Sequence, residues 1–496
     1  MELSKEYKSL SLILPCERKS EEFELDYQEN LPAYLDDANK IIKCTAKCSL
    51  VDYEINSGCI TIYGKTLICL TYVSSQGFLL SNIFEEDFSK SIDIEKNDGV
   101  CFADICIVPK YSSSRLINQR RIDVHISLTA QIKCFEKNAV NTLQKCENAF
   151  TKDMSADILV NKYSSVTSVD FDEVFTVPGA SQIKNIINIF TSSCIEEYKV
   201  IKEKMLVKLK TQVSLLYMTD EDSIERFLYS FTSSKIIDVP DSDEEDKALL
   251  SSNVSSLYIK AKPDSNNKLS EIEVVGKISV YYMLTGCENE TLITDAYMAK
   301  NEIKTETDRI TLLTNPKYYN DDAVAQVSVQ TDGEIREVLD FSAEVLSCTV
   351  SASVLKYSVK VALLFFDGEG NIRFTEKVSE QEMRLESTDR NGVVAINIVS
   401  SDYVISGENN VNIKVNFEYA GYLFDSEGVS FISDIEITGE KDLSHNLPLT
   451  LYFAEQGESV WNIAKEFSAS PQTVRDENGI SGDTVREKKI ILISKM

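Results

Sequence analysis

The stretch Met205-Leu206-Val207-Lys208-Leu209-Lys210-Thr211-Gln212-Val213-Ser214-Leu215-Leu216-Tyr217 is followed by Thr219-Asp220-Glu221-Asp222. One parity carries Met205, Val207, Leu209, Thr211, Val213, Leu215 and Tyr217; the other carries Lys208, Lys210, Gln212 and Ser214. Alternation of period two with one polar face is the signature of a half-buried antiparallel strand. The Thr/Asp cluster behind it has the composition of a hairpin turn.

The same pattern occurs upstream and downstream. Cys59-Ile60-Thr61-Ile62-Tyr63-Gly64-Lys65-Thr66-Leu67-Ile68-Cys69-Leu70-Thr71-Tyr72 precedes a turn at Ser74-Ser75-Gln76-Gly77, and Leu355 through Phe365 precedes Asp367-Gly368-Glu369-Gly370. Leu31-Pro32 and Val177-Pro178 stand at similar distances before their strands. A later strand follows each turn, at Ile122–Leu128, Ile272–Ile278 and Val411–Phe417, and the connectors Ala149-Phe150 and Ala296-Tyr297 correspond. A period this long means tandem domains, not a solenoid of 20–50-residue units. Tandem β-sandwiches or open barrels are expected, at 1–140, 147–290 and 295–442, with weak helical signal confined to the connectors, roughly 138–160 and 290–310.

Composition narrows the function. The chain has 496 residues, 51 Lys and Arg against 79 Asp and Glu, and a formal charge of −28. So acidic a chain is poorly suited to phosphate backbones and favours basic partners. No window approaches 18 consecutive apolar residues, and the start from Met1 to Lys19 lacks a cationic region before Leu10–Leu14, so no secretory signal is expected. Nine of the twelve cysteines fall in the first 150 residues without a C-x-x-C pair, and the two histidines, His125 and His445, are far apart. The cysteines read as small apolar strand residues kept reduced, with no metal and no cofactor expected.

From about residue 446 the style changes. The segment 446–496 carries 7 acids and 6 bases, so −27 of the charge lies before it, and a boundary is expected near Ser444–Pro448. A short strand, Leu451–Ala454, leads to Gln456-Gly457; Ser459 can cap a helix whose Val460, Ile463, Ala464 and Phe467 share one face. Ser470-Pro471 opens a second helix, Asn478-Gly479 closes it, and Ile490–Ile493 forms a last strand.

This stretch resembles the LysM domain, whose pattern is matched by Gly457-Glu458-Ser459-Val460-Trp461-Asn462-Ile463-Ala464 and Phe467, with Val474 and Asn478 in register. Lys488 stands where the family has Gly before its last strand, and Ser494 where it has a closing Pro. The resemblance implies a shallow groove for N-acetylglucosamine polymers, formed by Gly457, Glu458, Ser459, Val460 and Trp461 facing Asn478, Gly479 and Ile480. For Trp461 the competing reading is a packing anchor of a very small core. Tandem β repeats ending in a LysM are similar to the SPOCS-domain, SipL-like spore-coat morphogenetic proteins of spore-forming Firmicutes. Leu70-Thr71-Tyr72, Leu215-Leu216-Tyr217, Leu363-Leu364-Phe365 and Asp295-Ala296-Tyr297 carry that resemblance. It implies a mainly β fold of three tandem sandwich- or barrel-like repeats and a small α+β (βααβ) LysM domain at 446–496. It also implies a scaffold in the mother-cell cytoplasm at the forespore surface, whose LysM engages a coat-basement ATPase of the SpoIVA type.

Two other classes remain open. An enzyme would need a nucleophile–base pair or metal cluster; the histidines are isolated, Gly368-Glu369-Gly370 sits in a hairpin turn, and Asp241–Asp246 lacks EF-hand spacing. A peptidoglycan-binding wall protein would use the same groove on glycan.

Overall fold

A computed structural model describes residues 3–95, 99–179, 182–442 and 449–494; the expected boundary at Ser444–Pro448, with His445, lies outside them. The chain forms β1 (Lys5–Asn30), β2 (Ala38–Asn56), β3 (Cys59–Ser74), β4 (Leu79–Asp93), β5 (Val100–Leu116) and β6 (Arg121–Cys146). Then come β7 (Ala149–Thr176), β8 (Ile183–Ile201), β9 (Lys204–Thr219), β10 (Ile224–Asp238), β11 (Lys247–Pro263) and β12 (Leu269–Met298). A third set comprises β13 (Asn301–Gln330), β14 (Ile335–Ser351), β15 (Val354–Asp367), β16 (Ile372–Arg384), β17 (Asn391–Ile405) and β18 (Asn410–Glu440). Last are β19 (Leu449–Ala454), α1 (Val460–Glu466), α2 (Pro471–Asn478) and β20 (Lys489–Ser494).

Each six-strand set pairs its first strand with its last and its last with its fifth: β1-β6-β5, β7-β12-β11 and β13-β18-β17. The second, third and fourth strands make a separate meander: β2-β3-β4, β8-β9-β10 and β14-β15-β16. Inward-facing residues of the two sheets make one core per set, around Ile68, Tyr72, Ile122 and Leu128 in the first, Val213, Leu215, Val274 and Val280 in the second, and Val359, Leu363, Val415 and Phe417 in the third. These are β-sandwich cores, built from period-two strands with one apolar face each.

The connectors are not helical. Residues 138–160 and 290–310 lie in β6, β7, β12 and β13, strands of 26, 28, 30 and 30 residues. Helix propensity there is overridden by tertiary pairing: β1 and β6 pair from Lys5↔Cys146 to Asn30↔Arg121, with register shifts only between Glu6 and Tyr7 and between Pro15 and Glu17. The extended ribbons pack together beyond the sandwiches, burying Leu10, Leu12, Ile158, Leu292, Ile310 and Phe431 in one shared cluster. The strand Met205–Tyr217 also differs from a simple half-buried one. Its last residues are buried on both faces, Ser214 and Leu216 included, because the other two sets cover the outer face there: Leu216 packs with Leu79, Ile187, Leu339 and Leu364.

Candidate functional site

The C-terminal segment runs strand, helix, helix, strand, with β19 antiparallel to β20. Its core is Ala454, Val460, Ile463, Ala464, Ala469, Val474, Val485, Ile491 and Ile493. Ser470 caps α2, its hydroxyl accepting from Thr473 N at 3.3 Å, with Pro471 at the first helical position. Gly479 ends α2 at φ 59°, a left-handed conformation that glycine adopts without a Cβ penalty. The Ser459 hydroxyl makes no capping bond to α1. Its backbone instead bridges Thr484, flanked by Val460 N to Asp483 O and Val485 N to Glu458 O, both 2.9 Å.

The residues read from the sequence as a groove divide into two groups. Gly457 and Gly479 are exposed, and Glu458, Ser459 and Ile480 half-buried, on the loops that follow β19 and α2. Glu458 is itself held, accepting from Tyr452 Oη at 2.5 Å and from Glu455 N at 3.0 Å. Val460 and Asn478 are engaged within the module, and Trp461 is engaged by β12. Val460 is fully buried. The Asn478 amide donates to Val474 O and Leu492 O, and its carbonyl accepts from Leu492 N, all within 2.8 Å, so that it ties the end of α2 to β20.

Trp461 faces the second six-strand set. Its indole N–H donates to Asp295 Oδ2 at 2.8 Å, and Lys465 Nζ pairs with the same carboxylate at 2.7 and 2.9 Å. The Tyr297 ring meets the indole edge-on at 5.0 Å and packs on Phe150, while its hydroxyl donates to Ala469 O at 2.7 Å. Lys441 Nζ adds a bond to Ser468 Oγ at 2.8 Å. Burial pushes the Asp295 carboxyl up, but the hydrogen bonds from Lys465 and Trp461 outweigh it and hold it below its ordinary value. Sequence reasoning singled out both Trp461 and Asp295-Ala296-Tyr297 without placing them against each other.

A second concave region lies where the three six-strand sets meet. A cavity of about 350 Å³ is lined by Lys47, Cys106, Ser192, Tyr281, Glu344 and Cys348, among others from all three sets. Hydrogen bonds cross every pair of sets around it: Leu50 N to Tyr281 Oη at 3.0 Å, Asn397 Nδ2 to Leu250 O at 3.0 Å, and Cys106 Sγ to Leu346 O at 3.4 Å. Burial pushes the thiols of Cys48, Cys106 and Cys348 up to about 12, which keeps them protonated at neutral pH and poor as nucleophiles. Elsewhere His125 lies on the outer strand surface between Asp26 Oδ1, 2.8 Å from Nδ1, and Tyr111 Oη, 3.1 Å from Nε2. In the acidic run, Asp246 is taken up by Lys162 at 2.9 Å and by Asp243 N. No helix of the described residues is long and apolar enough to cross a membrane.

Residues 182–262 match the family model for the SipL, SPOCS domain. The matched segment covers β8 through nearly all of β11, the meander of the second set and the strand after it. It connects this part of the chain to sporulation proteins and stops short of the C-terminal module. No curated protein and no solved structure matches the chain.

Proposed function

We propose that this protein is a non-enzymatic scaffold of spore-envelope assembly, and that residues 449–494 are a LysM-type module presented to a coat morphogenetic protein. The reading is supported by the SPOCS match in the second six-strand set, by the strand–helix–helix–strand order of the module, and above all by how the module is mounted. Trp461, Lys465 and Ala469 are spent on Asp295 and Tyr297, whereas the loops bearing Gly457 and Gly479 stay exposed. A module held on one side and open on the other is what a scaffold needs to present a partner in fixed orientation. Loops that expose backbone groups could also bond acetamido sugars, which keeps peptidoglycan as the second reading.

The test compares retention of the full chain on an immobilised coat-basement ATPase and on purified peptidoglycan, with Ile480→Asp as the loop variant. Binding to the ATPase that Ile480→Asp weakens at least about tenfold, about 1.4 kcal/mol, supports the scaffold. Retention on peptidoglycan alone, lost in the same variant, moves the function to glycan binding. Retention on neither sinks both.

A further inference from the structure

Equivalent positions of the three six-strand sets meet on a common axis, and they carry three different chemistries. In β2, β8 and β14 the register is interrupted at the same place, between Ile41 and Lys43, Ile186 and Asn188, and Val338 and Asp340. The residue after each interruption pairs with Thr71, Leu216 or Leu364, one position before the aromatics Tyr72, Tyr217 and Phe365. Lys43, Asn188 and Asp340 are thus one structural position occupied three times.

All three are buried, at 9, 1 and 3 % exposure, and they bond to one another. Lys43 Nζ donates to Asn188 Oδ1 at 3.1 Å, and Asn188 Nδ2 donates to Asp340 Oδ2 at 2.7 Å. The other Asp340 oxygen accepts from Ser214 at 3.1 Å and lies 3.2 Å from Arg226 Nε. Four residues further along come Lys47, Ser192 and Glu344, opposite Leu67, Gln212 and Lys360. The order base, neutral, acid is repeated. Lys47 Nζ donates across the set boundary to Thr191 O at 3.0 Å. Between the charged positions and the sheet ends the axis is apolar, with Ile187, Leu216, Leu339 and Leu364.

Three like residues at such a position would fit any combination of sets. Three lysines or three aspartates would repel one another out of water. An amide is both donor and acceptor, so it can stand between an ammonium and a carboxylate and satisfy both. The resulting chain of bonds closes only when the first set meets the second and the second meets the third. A buried polar network contributes little net stability over a well-packed apolar junction, and its best-attested use is to select one arrangement among competitors. We infer that the bonded layer Lys43–Asn188–Asp340, backed by the base, neutral, acid layer Lys47–Ser192–Glu344, requires one copy of each set at the axis and excludes junctions containing two copies of the same set. Those wrong junctions are the hazard of a chain of three similar domains, since each would link one chain to another.

The experiment uses the full chain, unfolded in denaturant, refolded over a range of protein concentrations and analysed by sedimentation. The variant K43M/K47M/N188L/S192A/D340L/E344M makes both layers apolar. The expected result is that it melts close to wild type but refolds into a concentration-dependent mixture of assemblies, where the wild type gives one species. Refolding of this variant to the same single species as wild type overturns the inference. If it does not refold, Asp340→Asn, which removes one charge at constant size, is read in the same assay. A concentration-dependent mixture supports the selective role, and a single species with only a lowered melting temperature overturns it.

Discussion

The indole N–H of Trp461 reaches the Asp295 carboxylate at 2.8 Å across 166 residues of chain. This bond joins the C-terminal module to the second six-strand set where β12 ends, and Lys465 and Tyr297 surround it. The sole tryptophan of the chain therefore reports on the mounting of the module.

Asp295→Ala leaves the indole N–H and the Lys465 ammonium without their acceptor in a partly buried place. The expected cost is about 1–3 kcal/mol of docking free energy, the usual consequence of deleting one partner of a charged hydrogen bond. Trp461 fluorescence should shift to the red and hydrogen exchange in α1 should quicken. Unchanged emission in this variant would mean that the contact does not hold the module.

Acid should have the same effect. The folded Asp295 carboxyl lies below its ordinary value because Lys465 and Trp461 together outweigh its burial. A depressed folded carboxyl contributes stability that is complete above the unfolded value, about 3.9, and lost as pH falls through the lower folded value. Trp461 emission should therefore hold from neutral pH to about pH 4 and change below it. The step should vanish in Asp295→Asn; its persistence there would assign it to another carboxylate, such as Asp434, which Lys5 and Tyr7 hold down against its burial.

Tyr297 contributes by shape and by its hydroxyl. Tyr297→Phe removes only the bond to Ala469 O and should cost about 1 kcal/mol. Tyr297→Ala also empties the space between Phe150 and Trp461 and should cost about 3–5 kcal/mol. Equal melting shifts for the two variants would show that the ring packing is irrelevant.

Within the module, Asn478→Ala removes three bonds to backbone groups and strands Leu492 N–H. The module should lose about 2–3 kcal/mol, seen as early melting followed by Trp461, before any question of ligand arises. Gly479→Ala strains a left-handed residue in open space and should cost about 1 kcal/mol. A variant at Asn478 that melts like wild type yet fails to bind would return this residue to the binding surface.

The alternation of Met205–Tyr217 and the helix signals around Ser470-Pro471 and Asn478-Gly479 were legible because they rest on local chemistry: period, cap and left-handed stop. The burial of Ser214 and Leu216 was not, since it comes from strands of the other two sets. The β ribbons at 138–160 and 290–310 were also hidden, because mixed local propensity there is settled by a partner strand more than a hundred residues away. Trp461 offered two readings, groove wall or packing anchor, and its actual contact is with Asp295, a distance no spacing rule spans. Asn478 was visible as a helix end, but not as the bolt between α2 and β20.

The pairing of first strand with last puts Lys5 beside Cys146, Ala149 beside Met298 and Asn301 beside Glu440. The chain thus leaves each six-strand set at the rung where it came in, and all three crossings lie at the ends of the long ribbons. Tension applied along the polypeptide at these places falls on one rung at a time, as on a zip, instead of on the whole row of hydrogen bonds together. Mechanical resistance at each crossing rests on the cover provided by neighbouring side chains, and around Tyr297 and Phe150 that cover is the C-terminal module.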